Sequence, residues 1–243
     1  MNNIFKEIDQ LQEEINKFRP LDKNLLKQIK EYYRIVLTYS SNALEGNTLT
    51  ETETKIVLEE GITIGGKPLK DHLEAVGLSD SFNLLYDYAN NKTISEHDIK
   101  KLHKLFYYRI DEESAGEYRK VQALITGSKY PLPKPDVLPK LMVNFIEELK
   151  AMHPKKHPVE IAALAHKEFV FIHPFVDGNG RVARLLMNLV LMQHGYNIAI
   201  IPPILRPEYI RSLEKAHTND TDFIKLIAQC VKETQKDYLR LFV

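Results

Sequence analysis

The chain has 243 residues, of which 44% are apolar, so it can bury the core of one large domain or two small ones. Lys plus Arg and Asp plus Glu number 33 each, so no overall charge would attract nucleic acid or an anionic membrane. Because Cys230 is the single cysteine, the first ten residues lack the order of a secretory signal, and the longest apolar runs are too short to cross a bilayer, we expect a cytoplasmic protein without disulfides or membrane spans.

Helical spacing of apolar residues begins near the N-terminus, over residues 4–15. A second helix is predicted over about residues 31–46, where Gly46 suits the position just after a helix end. Within this helix Ser41 and Glu45 are four residues apart and therefore share one face. Considered without any resemblance, Glu45 is a solvated carboxylate near a helix end.

Further helices are predicted in the second half of the chain. Three helix starts are indicated by an N-cap residue or a proline, at Ser95, Pro139 and Pro158. A fourth helix runs from about Arg181 until Gly195 ends it, and it is apolar nearly all round, which predicts a central position in the fold.

Residues 116–138 are the main segment without helical spacing. Apolar residues alternate over 121–125 before a stretch rich in glycine and proline, a pattern that predicts a short β-hairpin or flap. No repeat or clear linker divides the chain. We therefore predict a single all-α unit, with an N-terminal helical extension over residues 1–69 and a core over 70–243.

Residues 173–184, HPFVDGNGRVAR, form a dense polar set between two predicted helices. Gly178 and Gly180 let the backbone turn its N–H groups inward, and the positive N-terminus of the next helix favours phosphate oxygens. Arg181 and Arg184 are three apart and project from one helix face. The pattern indicates a cradle for a polyphosphate, although a plain glycine-rich turn remains open from these residues alone.

Three more residues of this segment have predicted roles. Asp177 is a hard oxygen ligand suited to a Mg²⁺ ion whose other ligands are phosphates and water. A neutral imidazole at His173 can accept the proton of a hydroxyl that attacks phosphorus. Phe175 is predicted to point inward and anchor the loop. A P-loop is excluded because Arg-Val follows the second glycine, and a zinc deaminase is excluded because its cysteine pair is absent.

The segment resembles the signature of the Fic family, His-x-Phe-x-Asp/Glu-Gly-Asn-Gly-Arg-x-x-Arg, at every defined position, and the likeness covers roughly residues 70–230. The resemblance implies an all-helical Fic fold with a short β-hairpin flap, and transfer of AMP from ATP to a Ser, Thr or Tyr hydroxyl of a target protein. It implies that His173 is the base and Asp177 the Mg²⁺ ligand. The implied phosphate contacts are Gly178, Asn179, Gly180 and Arg181 for the α and β phosphates, and Arg184 for the γ-phosphate.

The resemblance also suggests where the target and the adenine bind. The flap, over about residues 121–130, is expected to hold the target as an extended strand by backbone pairing. Tyr209 and His217 fall in the stretch that often forms the adenine pocket, although Tyr209 is equally typical of ordinary core and His217 of the surface. His103 and His166 lie on apolar helix faces, where a hydrogen-bonded structural histidine is the commoner case.

A second resemblance concerns Ser41, Glu45 and Gly46, which match the inhibitory motif that some Fic proteins carry before the signature. In those relatives the Glu pairs with the second signature arginine, here Arg184, and keeps the γ-phosphate of ATP from seating productively. The implied protein is an autoinhibited adenylyltransferase that can also modify itself. Alternatives are a remover of AMP, another phosphoryl transferase on the same fold, or a nucleotide-sensing module without catalysis.

Overall fold

The structure is a computed structural model that describes residues 2–91, 93–152 and 155–242. Within these residues the fold is all-helical and contains no β-strand, as the sequence predicts for the fold class. No helix in the described ranges is both long and apolar enough to cross a membrane. The α-helices are α1 (Asn2–Asn16), α2 (Lys23–Ala43), α3 (Glu51–Glu60), α4 (Leu69–Tyr88), α5 (Glu96–Tyr107), α6 (Leu138–Met152), α7 (Pro158–Ile172), α8 (Asn179–Gln193), α9 (Arg206–Lys215) and α10 (Thr221–Arg240).

The helix starts predicted at Ser95, Pro139 and Pro158 are confirmed to within one residue, whereas the helix predicted over about residues 31–46 is part of α2, which begins eight residues earlier at Lys23 and ends at Ala43. Ser95 caps α5 through a capping box, in which its hydroxyl accepts from the Asp98 N–H at 3.2 Å and the Asp98 carboxylate accepts from the Ser95 N–H at 2.9 Å. Pro158 is the first residue of α7. Helix α8 begins two residues earlier than predicted, at Asn179, because Gly178 takes the N-cap position.

The core is built around α7 and α8, which pack against each other, and most of α8 is buried on all sides. Helix α1 packs on α10 and α2 packs on α4. One buried apolar cluster therefore includes Ile8 and Tyr33 from the first two helices together with Leu186 of α8 and Ile227 of α10. Helices α1 and α2, from the predicted N-terminal extension, therefore contribute to the same core as α8 and α10.

The predicted β-hairpin within residues 116–138 is not present, because none of these residues forms a strand. The two limbs of this segment are joined by side chains instead. The Gln122 side-chain amide donates to the Leu132 carbonyl at 3.0 Å, and the Arg119 guanidinium donates to one carbonyl on each limb. The returning limb contains three prolines, which have no N–H for a strand ladder, so alternation produced an extended segment without strand pairing.

Helices α4 and α5 approach each other closely at Gly77. A Cβ atom at this position would lie 2.1 Å from the backbone carbonyl oxygen of Phe106. One turn later the Ser81 hydroxyl donates to the Leu102 carbonyl at 2.9 Å, which ties the same two helices together. This contact matters for the site below, because the Phe106 ring lies directly beneath Gly178 of the signature loop.

We expect Gly77→Ala to destabilise the protein by about 3 kcal/mol, since a backbone oxygen cannot move aside without shifting a whole helix. Urea unfolding followed by circular dichroism measures this free energy of unfolding. The matched control is Gly65→Ala, where a new Cβ meets open space and φ is not positive. Equal stability of the two variants would contradict the close approach of α4 and α5.

Candidate active site

His173 ends α7, where the chain turns into the signature loop. Its backbone angles, φ 51° and ψ 58°, are left-handed, and it is the one residue other than glycine with a positive φ in the part of the chain that the structure describes. This conformation costs on the order of 1 kcal/mol for a residue with a Cβ atom. The surrounding contacts must therefore hold it, and strain of this kind is typical of functional positions.

The His173 imidazole is held by a backbone carbonyl that fixes its tautomer. Its Nδ1 atom lies 3.3 Å from the Val170 carbonyl oxygen, and because a carbonyl only accepts, Nδ1 carries the proton and Nε2 keeps a free lone pair. Burial lowers the pKa of His173 below its usual value, although the Val170 carbonyl acts in the opposite direction. The ring is therefore neutral near pH 7, which is the form that accepts a proton.

The loop after His173 is held by its own side chains. The Asn179 side-chain amide accepts from the Phe175 N–H and donates to the Phe175 carbonyl, both at 2.9 Å. As predicted, Phe175 is buried, and its ring stacks on His103 with centroids 3.7 Å apart. His103 accepts from the Gly116 N–H and so donates through Nε2 to the Asp177 carbonyl at 3.1 Å. His103 is thus a structural histidine, as expected, and burial lowers its pKa to about 4.

Arg119 connects the loop to the flap segment, a role that the sequence did not indicate. Its buried side chain donates through Nε to the His173 carbonyl at 2.9 Å, and its backbone N–H donates to the Pro174 carbonyl at 2.9 Å. The two Nη atoms donate to the carbonyls of Val121 and Pro133 on the two limbs of the flap. One guanidinium therefore fixes the base and the flap relative to each other.

Asp177 lies at the N-terminus of α8, where Gly178 adopts a left-handed φ of 79°. One carboxylate oxygen of Asp177 accepts from the Gly178 N–H at 2.6 Å and from Arg181 at 3.0 Å, and the other accepts from Lys70 at 3.2 Å. Burial raises the pKa of Asp177, but Arg181, the Gly178 N–H and Lys70 outweigh it and lower the pKa below its usual value. The carboxylate is ionised, as a cation ligand must be.

Arg181 has a second carboxylate partner that the sequence did not indicate. Its Nη1 atom lies 2.8 Å from Glu74 of α4, and both side chains are buried. The other oxygen of Glu74 accepts from the Asn47 side chain at 2.9 Å, just after α2. The Arg181 guanidinium also lies 4.5 Å over the Phe106 ring. Arg181 is thus fixed in place by an ion pair, a second carboxylate and an aromatic face.

Arg184, the second signature arginine, meets the end of α2. Its Nε atom donates to the Ser41 hydroxyl at 2.8 Å, and its Nη2 atom donates to the Ser41 carbonyl at 2.8 Å and to Glu45 at 2.7 Å. Burial raises the pKa of Glu45, but the guanidinium groups of Arg184 and Arg181 lower it more, so the carboxylate stays ionised. The ion pair that the resemblance implies between Glu45 and Arg184 is present.

The end of α2 fixes Glu45 beside this arginine. The Asn47 N–H donates to the Asn42 carbonyl and the Gly46 N–H donates to the Ala43 carbonyl, both at 3.1 Å, which is the bond pair of a Schellman motif. Gly46 has a left-handed φ of 94°, so its predicted position just after the helix is confirmed. Glu45 lies on the last closed turn, with its backbone constrained on both sides.

The Glu45 carboxylate occupies the predicted anion cradle. A Cβ atom on Gly180 would lie 2.1 Å from Glu45 Oε1, so the missing side chain lets a carboxylate oxygen rest against the loop backbone. The same oxygen is the one that Arg184 holds. A negatively charged oxygen of this chain thus lies against the glycine backbone where the sequence predicted a phosphate.

Tyr209 and His217 lie in different surroundings. Tyr209 is buried, and its hydroxyl oxygen lies 3.1 Å from Arg184 Nη1 and 2.9 Å from His166 Nε2. His217 is half-buried between two parallel rings, with centroids 3.6 Å from Phe171 and 3.8 Å from Tyr130 of the flap. Tyr209 therefore contacts the second signature arginine, while His217 joins the flap to α7.

These contacts define a class of protein: a helical fold in which a glycine loop and a helix N-terminus form an anion site beside a neutral histidine, with a carboxylate of the same chain in that site. Residues 93–191 match the Fic/DOC family. The solved structure of a Fic domain containing signaling protein from Bacteroides thetaiotaomicron is similar, with a TM-score of 0.84, 30% identity and coverage of 95% of each chain. The chain belongs to the Fic/DOC family.

Two further relatives extend the similarity beyond the matched region. Protein adenylyltransferase Fic of Drosophila virilis is 36% identical over 239 residues, which are 96% of this chain and 48% of the relative. The solved structure of Fic-1 from C. elegans has a TM-score of 0.89 at 29% identity, over 99% of this chain and 72% of that one. The chain spans about half the length of the curated relatives it matches.

The lowered pKa of His173 can be measured directly. We expect its imidazole signals to titrate in NMR spectra with a midpoint below 6.5, because burial disfavours the charged ring. Comparison with His173→Ala assigns the signal, since the other eight histidines are unchanged in that variant. A midpoint at or above 6.5 would contradict a neutral ring poised to accept a proton.

Proposed function

We propose that this chain is a protein adenylyltransferase that its own Glu45 holds inactive. The observation that carries the proposal is the position of the Glu45 carboxylate, whose oxygen rests against Gly180 and on the Arg184 guanidinium. A guanidinium that binds a carboxylate oxygen, next to a glycine that leaves room for it at a helix N-terminus, can bind a phosphate oxygen as well. Relatives that carry the name protein adenylyltransferase Fic support the choice of reaction.

In the proposed reaction ATP lies along the loop and the start of α8. The backbone of residues 178–180 and the Arg181 guanidinium hold the α and β phosphates, and Arg184 holds the γ-phosphate once Glu45 has moved away. A target hydroxyl oxygen attacks the α-phosphorus, the bond to the bridging oxygen breaks, and pyrophosphate leaves. His173 Nε2 takes the hydroxyl proton. Orientation and charge stabilisation do most of the work.

Asp177 is the proposed holder of Mg²⁺. Its carboxylate is ionised and 37% exposed, so one oxygen can face a cation, and the remaining ligands would be phosphate oxygens and water, as is common for this ion. Bound there, Mg²⁺ would neutralise charge on the phosphates. In the structure the Lys70 ammonium lies on that oxygen, at 3.2 Å.

The flap is the proposed target site. The limb that holds residues 121–125 exposes Val121 at 64%, Leu124 at 85% and Ile125 at 38%, so its apolar side chains are accessible to a partner. An extended peptide that pairs with this backbone would bring a Ser, Thr or Tyr hydroxyl toward His173, because Arg119 ties the flap and the base together.

We expect Glu45→Gly to raise AMP transfer by roughly 10- to 100-fold, since the ion pair that competes with the γ-phosphate is a charge-assisted hydrogen bond of about 1.5–3 kcal/mol. The measurement is incorporation of label from ATP marked at the α-phosphate into proteins of a cell lysate and into the chain itself. Glu60→Gly, at an exposed helix end, is the matched control and should leave transfer unchanged.

The same assay separates the proposed function from its competitors. His173→Ala in the Glu45→Gly background should abolish transfer while it largely spares ATP binding by calorimetry, because the base does not hold the phosphates. Label that arrives only from the γ-phosphate would replace AMP transfer with phosphate transfer. Bound ATP without any label would favour a nucleotide-sensing module.

Removal of AMP is a second candidate, favoured by the partial exposure of Glu45. The side chain is 36% exposed while it holds Arg184, so the same carboxylate can reach a water molecule from the solvent side. A carboxylate in that position could orient the water for attack on an AMP-modified residue. Release of AMP from a target labelled in advance by Glu45→Gly, on addition of the unaltered chain, tests this activity.

Lys70 provides a test of the proposed metal position. In the Glu45→Gly background, we expect Lys70→Met to lower the Mg²⁺ concentration that half-maximal ATP binding requires by roughly two- to fivefold. The reason is that a half-exposed ammonium no longer competes with Mg²⁺ for Asp177. Calorimetric titration of ATP at several Mg²⁺ concentrations measures the effect. Lys55→Met on α3 is the control and should leave this concentration unchanged. A higher Mg²⁺ requirement in Lys70→Met would argue against Asp177 as the ligand.

A further inference from the structure

A buried chain of hydrogen bonds lies behind Arg184, on the side away from α2. Arg184 Nη1 donates to the Tyr209 hydroxyl at 3.1 Å, and that hydroxyl lies 2.9 Å from His166 Nε2. All three side chains are buried, with His166 fully inaccessible. They come from α8, α9 and α7, so these hydrogen bonds join three helices at the second signature arginine.

The direction of these bonds follows from which atoms can donate. An arginine N–H only donates, so the Tyr209 oxygen accepts from Arg184 and its own proton is left for His166 Nε2. That places the imidazole proton on Nδ1, which has no partner among the described residues. Burial lowers the pKa of His166 well below its usual value, so the ring stays neutral and keeps Nε2 as an acceptor.

Because Tyr209 and His166 are neutral, they hold Arg184 without compensating its positive charge. Arg181 is paired with the carboxylates of Glu74 and Asp177, whereas Arg184 has Glu45 as its only carboxylate partner within the described ranges. A carboxylate in place of Tyr209 would hold the guanidinium equally well but would compete with any phosphate. A phenol fixes the position of the guanidinium without neutralising it.

The two ends of the guanidinium have different partners. Nη2 donates to the Ser41 carbonyl and to Glu45, and Glu45 is the partner that must leave when a γ-phosphate arrives. Nε remains on the Ser41 hydroxyl and Nη1 remains on Tyr209. Because a guanidinium is rigid and planar, contacts at Nε and Nη1 are enough to define its plane and aim Nη2 into the site.

We propose that Tyr209, backed by His166, is a positioning residue that aims Arg184 at the γ-phosphate of ATP. The inference rests on the proposed function and adds to it the means by which the chain distinguishes a nucleoside triphosphate from a diphosphate. This role differs from the one that the resemblance suggested for Tyr209, which was to form part of the adenine pocket. The effect of losing the hydroxyl should be confined to the third phosphate.

The experiment compares ATP with ADP binding in the Glu45→Gly background by isothermal titration calorimetry. Tyr209→Phe removes the hydroxyl and keeps the ring, and we expect it to weaken ATP binding about fivefold while ADP binding stays unchanged. A purely structural role would not change the ratio of the two affinities. Tyr238→Phe, another buried tyrosine whose hydroxyl interacts with Asn197, is the matched control.

Variants of His166 test the second bond. His166→Gln keeps an acceptor for the Tyr209 proton and should retain the ATP-to-ADP ratio, whereas His166→Leu removes the acceptor and should reproduce the loss seen in Tyr209→Phe. Thermal melting checks that each variant folds, and Tyr209→Phe, which deletes one atom, stays informative if a His166 variant does not.

The outcomes separate this inference from the proposed function. Unchanged ATP binding in Tyr209→Phe, or an equal loss of ATP and ADP binding, overturns the positioning role even where AMP transfer proceeds. A selective loss of ATP binding supports it, also if no AMP is transferred and the proposed reaction fails. Absence of ATP binding in Glu45→Gly itself overturns both.

Discussion

The contact between the Glu45 carboxylate and the Arg184 guanidinium is the interaction on which the rest of the site depends. Its two atoms are 2.7 Å apart, and the same carboxylate oxygen rests where a side chain on Gly180 would otherwise stand. The arginine is buried, so solvent ions screen this pair less than they would a surface pair. A phosphate that enters the cradle must therefore replace one anion by another at nearly the same place.

The two signature arginines differ in how their positive charges are compensated. Arg181 lies between two carboxylates, Glu74 and Asp177, so its charge is already compensated in the structure. Arg184 is surrounded by neutral groups apart from Glu45. The first arginine is thus a fixed part of the loop, while the second carries a charge whose partner can change. Under the proposed function, such an arrangement makes one ion pair, rather than the whole loop, the switch.

Patterns of neighbouring residues predicted what is local, while the distant pair of Glu45 and Arg184, 139 residues apart, was expected only through the family resemblance. The capping box at Ser95, the helix end at Gly46 and the loop residues of the signature are encoded by neighbours within a few positions, so their patterns could be interpreted directly. Lys70 lies 107 residues from the carboxylate it contacts, and Arg119 lies 54 residues from the carbonyl it holds, so no local spacing could reveal either. The prediction of a β-hairpin was wrong for a related reason. Alternation of apolar residues predicts an extended segment but does not specify a strand that would pair with it.

The contacts that orient His173 are separate from the helix end that carries Glu45. Arg119 and Asn179 fix the loop through hydrogen bonds to backbone carbonyls and amides, and their partners in these bonds are His173 and Phe175, not Glu45. The end of α2 is closed by its own backbone bonds, so Glu45 can leave Arg184 by rotation of its side chain toward the solvent that it already contacts. Release therefore needs no refolding of the loop that holds His173. If the proposed function holds, the enzyme can be kept inactive with its catalytic geometry already assembled, since only the Glu45 carboxylate would have to leave before a nucleotide binds.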